Sequence, residues 1–316
     1  MKVLALGEAL IDIVKPTDGE TTEHVGGSPL NVAMGVAALG HSTSLATYIG
    51  KDERGKRIAD HLAEHNVTLT PGSQDAERTP TATATLDEDG AATYDFDLAW
   101  QVADVDLSEV GHVHTGSIAA TLQPGGSAVY DLLCDARPGA TISYDPNARP
   151  TIMGEAHEAR SIIEQNIGRC DVVKASVEDV EWLYPGAEPG DVARLWARLG
   201  PDLVILTDGG NGAMAQHGPD ARVSVIKAQK VSVIDTVGAG DSFMAGLISG
   251  LLDAGLLGSA EARERLAASA EHVIVAAIER AIASSAYTVT QAGAAAPTRS
   301  DLSIAVRPPT DEKSAS

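Results

Sequence analysis

The chain of 316 residues is long enough to bury a sizeable core without staples, as one large domain or two modest ones. Its net charge of −21, from 23 Lys and Arg against 44 Asp and Glu, argues against nucleic acid as the main partner and against an anionic membrane surface, because both demand a basic face. Aromatic residues make up only 3% and apolar residues 44%, so the core is expected to be close-packed Ala, Val, Leu and Ile.

The opening stretch, Met1–Val14, is not read as a signal peptide. Glu8 and Asp12 break its apolar run, and no small-residue cleavage site follows. No stretch reaches the length of a membrane span. Cys134 and Cys170 lack C-x-x-C spacing and suggest neither a disulfide framework nor a metal site. These features predict a soluble protein of the reducing cytoplasm.

Short apolar runs then alternate with helical patterns. Val3–Leu6, Ser44–Ile49, His112–Thr115, Thr141–Tyr144, Asp171–Val173 and Leu203–Leu206 predict buried strands. Pro29–Leu39, Ser127–Asp135, Ala156–Gln165 and Val192–Leu199 predict helices. The alternation predicts an α/β fold with a central, mainly parallel sheet and helices on both faces. Two regions break the rhythm. Residues 8–25 alternate polar and apolar positions, and residues 79–97 alternate strictly about a turn at Asp87–Gly90. The second pattern predicts a hairpin, which is either a lid over a site or an ordinary edge hairpin. The tail from Ala294 is predicted to fray.

Chemistry concentrates in Val231–Gly250, VSVIDTVGAGDSFMAGLISG. A predicted strand, Val231–Ile234, runs into a Gly-Ala-Gly turn, and Asp241 opens a helix. The first N–H groups of a helix have no intrahelical partners and face the positive end of its dipole. Gly238, Ala239 and Gly240 therefore predict an anion hole for a transferring phosphoryl group, and Asp241 a base for the attacking hydroxyl. Taken alone, Asp241 reads better as a helix cap. No Walker A and no G-x-G-x-x-G pattern is present, so neither a P-loop enzyme nor a standard dinucleotide fold is indicated. Near the start, Asp12, Gly26, Gly27 and Asn31 could bind hydroxyls where backbone glycines allow close approach; a plain turn and helix start is the alternative. His61 and His65, four apart, read as a solvated helix face, and His112 and His114 as packing or supporting groups.

Together, GGSPLNVAMGVAALG and DTVGAGDSFMAGLISGLL resemble the two signatures of the ribokinase, or phosphofructokinase-B type (pfkB), carbohydrate kinase family. GEALIDIV, the 79–97 region, HTGSIA, DPNARP, VKASVEDVEWLYPG and LTDGGNGA extend the resemblance over nearly the whole chain. It implies a ribokinase-like fold over residues 1–316, with a small β lid drawn from about 8–25 and 79–97. It implies an ATP- and Mg²⁺-dependent transfer to a sugar. Asp241 is then the base and Gly238, Ala239 and Gly240 the anion hole. Asp12, Gly26, Gly27, Asn31 and Phe96 would hold the sugar. Thr207, Gly209 and Gly212 would line the ATP site, with Lys174 near the phosphates and Asp145 and Asn147 at a strand end facing the cleft.

One departure stands out: where the family often carries N-x-x-E, linked to Mg²⁺, this chain has Ser176 and Asp179, with Glu178 beside them. An ordinary cluster of acids at a helix start is the other reading. Some members need a monovalent cation such as K⁺, for which Asp235 is the nearest candidate. The lid offers a route to a homodimer. GGSPLNVA is more similar to fructokinases than to ribokinases, so fructose is the first expected acceptor. 2-Keto-3-deoxygluconate, ribose or a nucleoside are the alternatives within the family, and a non-catalytic sugar-binding regulator the alternative outside catalysis.

Overall fold

The structure is a computed structural model and describes residues 1–17, 19–86 and 92–303. Its strands are β1 (Lys2–Leu6), β2 (Leu10–Lys15), β3 (Thr22–Gly26), β4 (Thr43–Ala46), β5 (Val67–Leu69), β6 (Thr81–Leu86), β7 (Ala92–Asp97), β8 (Val110–Gly116), β9 (Thr141–Asp145), β10 (Val172–Ser176), β11 (Leu203–Thr207), β12 (Ala213–His217) and β13 (Ser224–Ile226). The helices are α1 (Ser28–Ala38), α2 (Glu53–Glu64), α3 (Gly125–Ala136), α4 (Pro150–Met153), α5 (Ala156–Ile167), α6 (Val177–Leu183), α7 (Pro189–Leu199), α8 (Ala239–Asp253), α9 (Ala260–Ala267) and α10 (Glu271–Thr288).

Nine strands form the main sheet in the order β13-β12-β11-β10-β9-β8-β1-β4-β5. From β11 to β5 every pairing is parallel; β12 and β13 add an antiparallel edge. Both faces of the parallel strands are buried, which explains why they read as short, unbroken apolar runs. Leu4, Leu6, Val113, Ile142, Tyr144, Val173, Val204 and Leu206 pack on one side, with α3, α5, α6 and α7. Val3, Val172, Leu203 and Ile205, the alternate residues, pack on the other with α1, α8, α9 and α10. A second sheet, β3-β2-β6-β7, buries Ile11 and Ile13 against α1 and α2 and turns its other face to a cleft. No helix among the described residues is long and apolar enough to cross a membrane.

Two local expectations fail. Val231–Ile234 is not a strand. Val233 and Ile234 are 61% and 70% exposed, and the Ile234 N–H reaches the Val289 carbonyl rather than a neighbouring strand. The strand that precedes the glycine turn is β13, farther upstream. The tail is also pinned as far as it is described, because Arg299 donates to the Leu39 carbonyl and pairs with Asp253 on α8. The expected turn at Asp87–Gly90 lies outside the described residues.

Candidate active site

The carboxyl ends of β1, β8 and β9, the start of α1, the start of α8 and the inner face of the small sheet surround one cleft of about 1740 Å³. Ligand sites in open parallel sheets lie at these strand ends. Pockets for a single ligand run to roughly 300–1,000 Å³, so the cleft has room for two ligands.

Asp241 lies in the first turn of α8, buried, with its carboxylate on the cleft. It is not acting as a helix cap: Gly238 holds that position, with no side-chain capping bond. The Ser28 hydroxyl donates to one carboxylate oxygen at 2.6 Å, and the Asn31 amide to the other at 2.8 Å. Both donors come from the first turns of α1, so two helix starts meet at this group. At Gly238 φ is +72°, and an added Cβ would stand 2.5 Å from the Ala294 Cβ. Only glycine fits there without moving the 292–296 segment that lines the cleft. Above the turn, Ala239 donates its N–H to the Thr236 carbonyl and Ser242 to Gly238. The N–H groups of Gly240 and Asp241 have no partner among the described residues.

Lys174 approaches this turn from below. Its ammonium is 3.1 Å from where a Gly240 Cβ would stand, and it donates to Asp145 at 2.7 Å. Both groups are almost wholly buried. Burial works to lower the Lys174 pKa, but the carboxylates of Asp145, Asp179 and Asp241 together outweigh it, and the net displacement is upward. Desolvation pushes Asp145 up to about 6 against the pull of Lys174, leaving it ionised at neutral pH.

Asp12 faces Gly26 so closely that a Cβ on Gly26 would lie 2.1 Å from its oxygen. Water reaches Asp12, yet the cleft walls strip enough hydration to raise its pKa, with His24 and Arg149 opposing. Two residues of the cleft hold left-handed backbone without being glycine, Ser117 at φ +55° and Asn147 at +38°. Such conformations cost energy and gather at sites. Arg149 anchors the second, donating to the Asn147 carbonyl and side-chain oxygen.

Residues 1–301 match the family model of the pfkB family carbohydrate kinases. The chain belongs to that family. The fructokinase of Klebsiella pneumoniae is 32% identical over 265 residues, 81% of this chain and 86% of the relative. The Xylella fastidiosa fructokinase with bound ATP superimposes with a TM-score of 0.81 at 25% identity, over 95% of this chain and 96% of that one. A double mutant of the Vibrio cholerae O395 fructokinase, bound to fructose, ADP and potassium, gives 0.76 at 25% identity, over 96% and 97%. A pfkB carbohydrate kinase is a phosphotransferase that acts on a sugar, and this chain is one.

Within this pfkB kinase the residues singled out from sequence fall in different places. Asp241, Gly238, Ala239, Gly240, Asp12, Gly26, Gly27, Asn31, Phe96 and Asp235 all line the cleft. Asn31, expected to bind a hydroxyl, also orients Asp241. Lys174 lies buried beneath the Gly240 turn. Thr207, Gly209 and Gly212 stand at the end of β11, beyond the cleft walls, where Gly212 crowds the Ile226 carbonyl.

Asp235 clasps two segments, accepting N–H groups of Val237 and Gly293. These bonds hold its pKa down. Asp179 accepts the N–H groups of Ala148 and Ser176 with its two oxygens, closing a capping box at α6, and Glu178 is exposed. Neither acid lines the cleft, so this donor set does not fit a Mg²⁺ ion held by the pair. The rings of His61 and His65 lie 4.6 Å apart on α2, tilted by 58° to one another, and His112 and His114 hydrogen-bond Thr141 and Ser143 inside the main sheet.

Sequence reasoning gave no role to Ser28, Ser117, Arg149 or Glu8. Glu8 is the most telling omission. Burial lifts its pKa to about 7, against hydrogen bonds that include those of Ser117 and the Ala119 N–H. The folded state thus holds a proton that the unfolded state releases above 4.5, so stability falls as pH rises from about 4.5 to 7. At ~1.4 kcal/mol per unit the loss is about 3 kcal/mol. Glu8→Gln, which keeps an acceptor for Ala119, should match the wild type near pH 4.5 and exceed it by up to that amount at pH 8. Urea unfolding at both pH values measures the difference; an equal offset at the two would remove Glu8 as its source.

Proposed function

We propose that this kinase uses ATP to phosphorylate a primary hydroxyl of a sugar, with fructose the first acceptor. The observation that carries the reading is the Asp241 carboxylate, fixed by Ser28 and Asn31 at the start of α8 in the cleft that also holds Asp12. Asp241 takes the proton of the acceptor hydroxyl as its oxygen attacks the γ-phosphorus. Negative charge on the transferred group meets the open N–H groups of Gly240 and Asp241, the positive end of α8 and the Lys174 ammonium beneath. ADP leaves and the sugar phosphate forms. Asp12, Asn31 and the backbone at Gly26 and Gly27 bind the sugar, and Phe96 of the small sheet covers it as a lid. The end of β11 with Thr207, Gly209 and Gly212 flanks the nucleotide.

Fructose is supported by the GGSPLNVA segment and by the fructokinases among the relatives. Arg149 gives a sugar acid such as 2-keto-3-deoxygluconate the second place, because its guanidinium would suit a carboxylate. An ADP-release screen over fructose, ribose, 2-keto-3-deoxygluconate and nucleosides, with and without K⁺, tests the reading. The highest kcat/KM is expected for fructose. Preference for the sugar acid would replace the acceptor and keep the mechanism. Sugar binding with no ADP release from any acceptor would overturn the kinase reading in favour of a sugar-binding regulator.

A further inference from the structure

His24 was not among the residues that the sequence marked. It lies on β3, directly opposite Asp12 of β2 in the antiparallel register. Asp12 in turn pairs with Ala82 on β6, and Ala82 with Phe96 on β7. Neighbours across a sheet share a face, so these four side chains form one transverse row, and all four line the cleft. The row presents an imidazole, a carboxylate, a methyl group and a phenyl ring. The next row brings Val14, Ala84 and Tyr94, whose ring stacks on Phe96 at 5.9 Å. The two alanines leave a trough between the acid and the aromatic pair.

Asp12 and His24 feel one another electrostatically without forming an ion pair within 4 Å. Nothing among the described residues donates a hydrogen bond to the Asp12 carboxylate. A carboxylate only accepts, and an imidazole N–H donates. Directly opposed cross-strand residues keep their Cβ atoms roughly 5 Å apart. A single hydroxyl fits between such groups: it donates to Asp12 and accepts from His24. The carbon skeleton behind it would then lie over Ala82, with a C–H face on Phe96.

We propose that His24 is a specificity-determining residue that grips one sugar hydroxyl jointly with Asp12. The inference rests on the sugar-kinase reading of the cleft. It goes further by adding a second recognising group and by fixing where the hydroxyl and the apolar face of the sugar point. An exposed edge-strand position makes His24 replaceable without loss of fold, and a circular dichroism melt checks this.

The test uses the full chain and the best acceptor from the ADP-release screen. His24→Leu should raise the KM for sugar by ~10- to 100-fold, the range of a hydrogen bond to a charged or strongly polar partner. The KM for ATP should not move, and kcat should stay within a few-fold. His24→Gln, which restores a donor, should recover most of the loss. A panel of mono-deoxy sugars then identifies the hydroxyl. One deoxy position should cost His24→Leu clearly less than it costs the wild type, the remainder being the bond to Asp12, while the others weaken both proteins alike. Unchanged sugar KM in His24→Leu, or equal deoxy penalties in both proteins, would overturn the assignment and leave the kinase reading intact. Absence of ADP release by the wild type with any sugar would overturn both.

Discussion

Asp241→Asn is expected to lower kcat by about 10³- to 10⁵-fold while sugar affinity stays within a few-fold. General-base loss alone costs roughly 10²–10⁴. The larger figure follows from the clasp around this group. The Ser28 hydroxyl and the Asn31 amide both donate to the carboxylate, one to each oxygen. An asparagine amide offers one acceptor oxygen and one NH2 donor, so only one of the two bonds survives unchanged: the oxygen must stay with the Asn31 amide, and the Ser28 hydroxyl must turn to accept from the NH2. The clasp is thereby rearranged, with a donor where a carboxylate oxygen stood, and the acceptor hydroxyl loses alignment as well as its base. Asp12, on the small sheet, keeps its own contacts, which is why binding should survive. Ser28→Ala and Asn31→Ala, each removing one donor, should lie between the two extremes. Steady-state kinetics paired with calorimetric sugar binding separates the terms; near-normal turnover with intact binding would remove Asp241 from the mechanism.

Elements with a strong local signature were the legible ones. The parallel strands β1, β8, β9, β10 and β11 are buried on both faces and so read as short apolar runs bounded by turn residues. The small sheet was legible because one face is wetter than the other, which imposes period-two alternation on residues 22–26 and 81–84. Val231–Ile234 misled because an apolar run states a preference for extended backbone without saying whether a neighbouring strand is there to pair with it. Asp241 stood out through its glycine turn, which is local. Its partners did not, since Ser28 and Asn31 lie more than 200 positions away and meet it only when α1 and α8 pack. Asp179 shows the opposite case: Ser176 and Asp179 are a capping box by spacing alone, and that local reading describes it better than a metal role does. Glu8 had no signal at all, because desolvation depends on what packs over a group, and sequence does not give that.

Lys174→Met is expected to destabilise the protein by about 3–5 kcal/mol, the usual result of removing one partner of a buried ion pair. Lys174 and Asp145 are 5% and 1% exposed and 2.7 Å apart, so the surviving carboxylate would have no water to turn to. Asp179 and Asp241 already press on it with like charge. With the ammonium gone, the Asp145 pKa should climb above its present value of about 6, and the folded state should take up a proton that the unfolded state lacks. The sign follows from linkage: where the folded form binds more protons, stability falls as pH rises. The deficit against wild type should therefore be greatest at pH 8 and shrink toward pH 5. A packing defect would give a deficit that ignores pH, so urea titrations at the two pH values tell the causes apart. Lys174→Met with Asp145→Asn should regain most of the stability, because no unpaired charge is left. It should not regain turnover: the charge beneath the Gly240 turn is missing in both variants, and loss of one preorganised electrostatic contact costs roughly 10²–10³ in kcat. Rescue of folding without rescue of rate would assign Lys174 two separable tasks, neutralising Asp145 in the ground state and meeting developing phosphoryl charge during transfer.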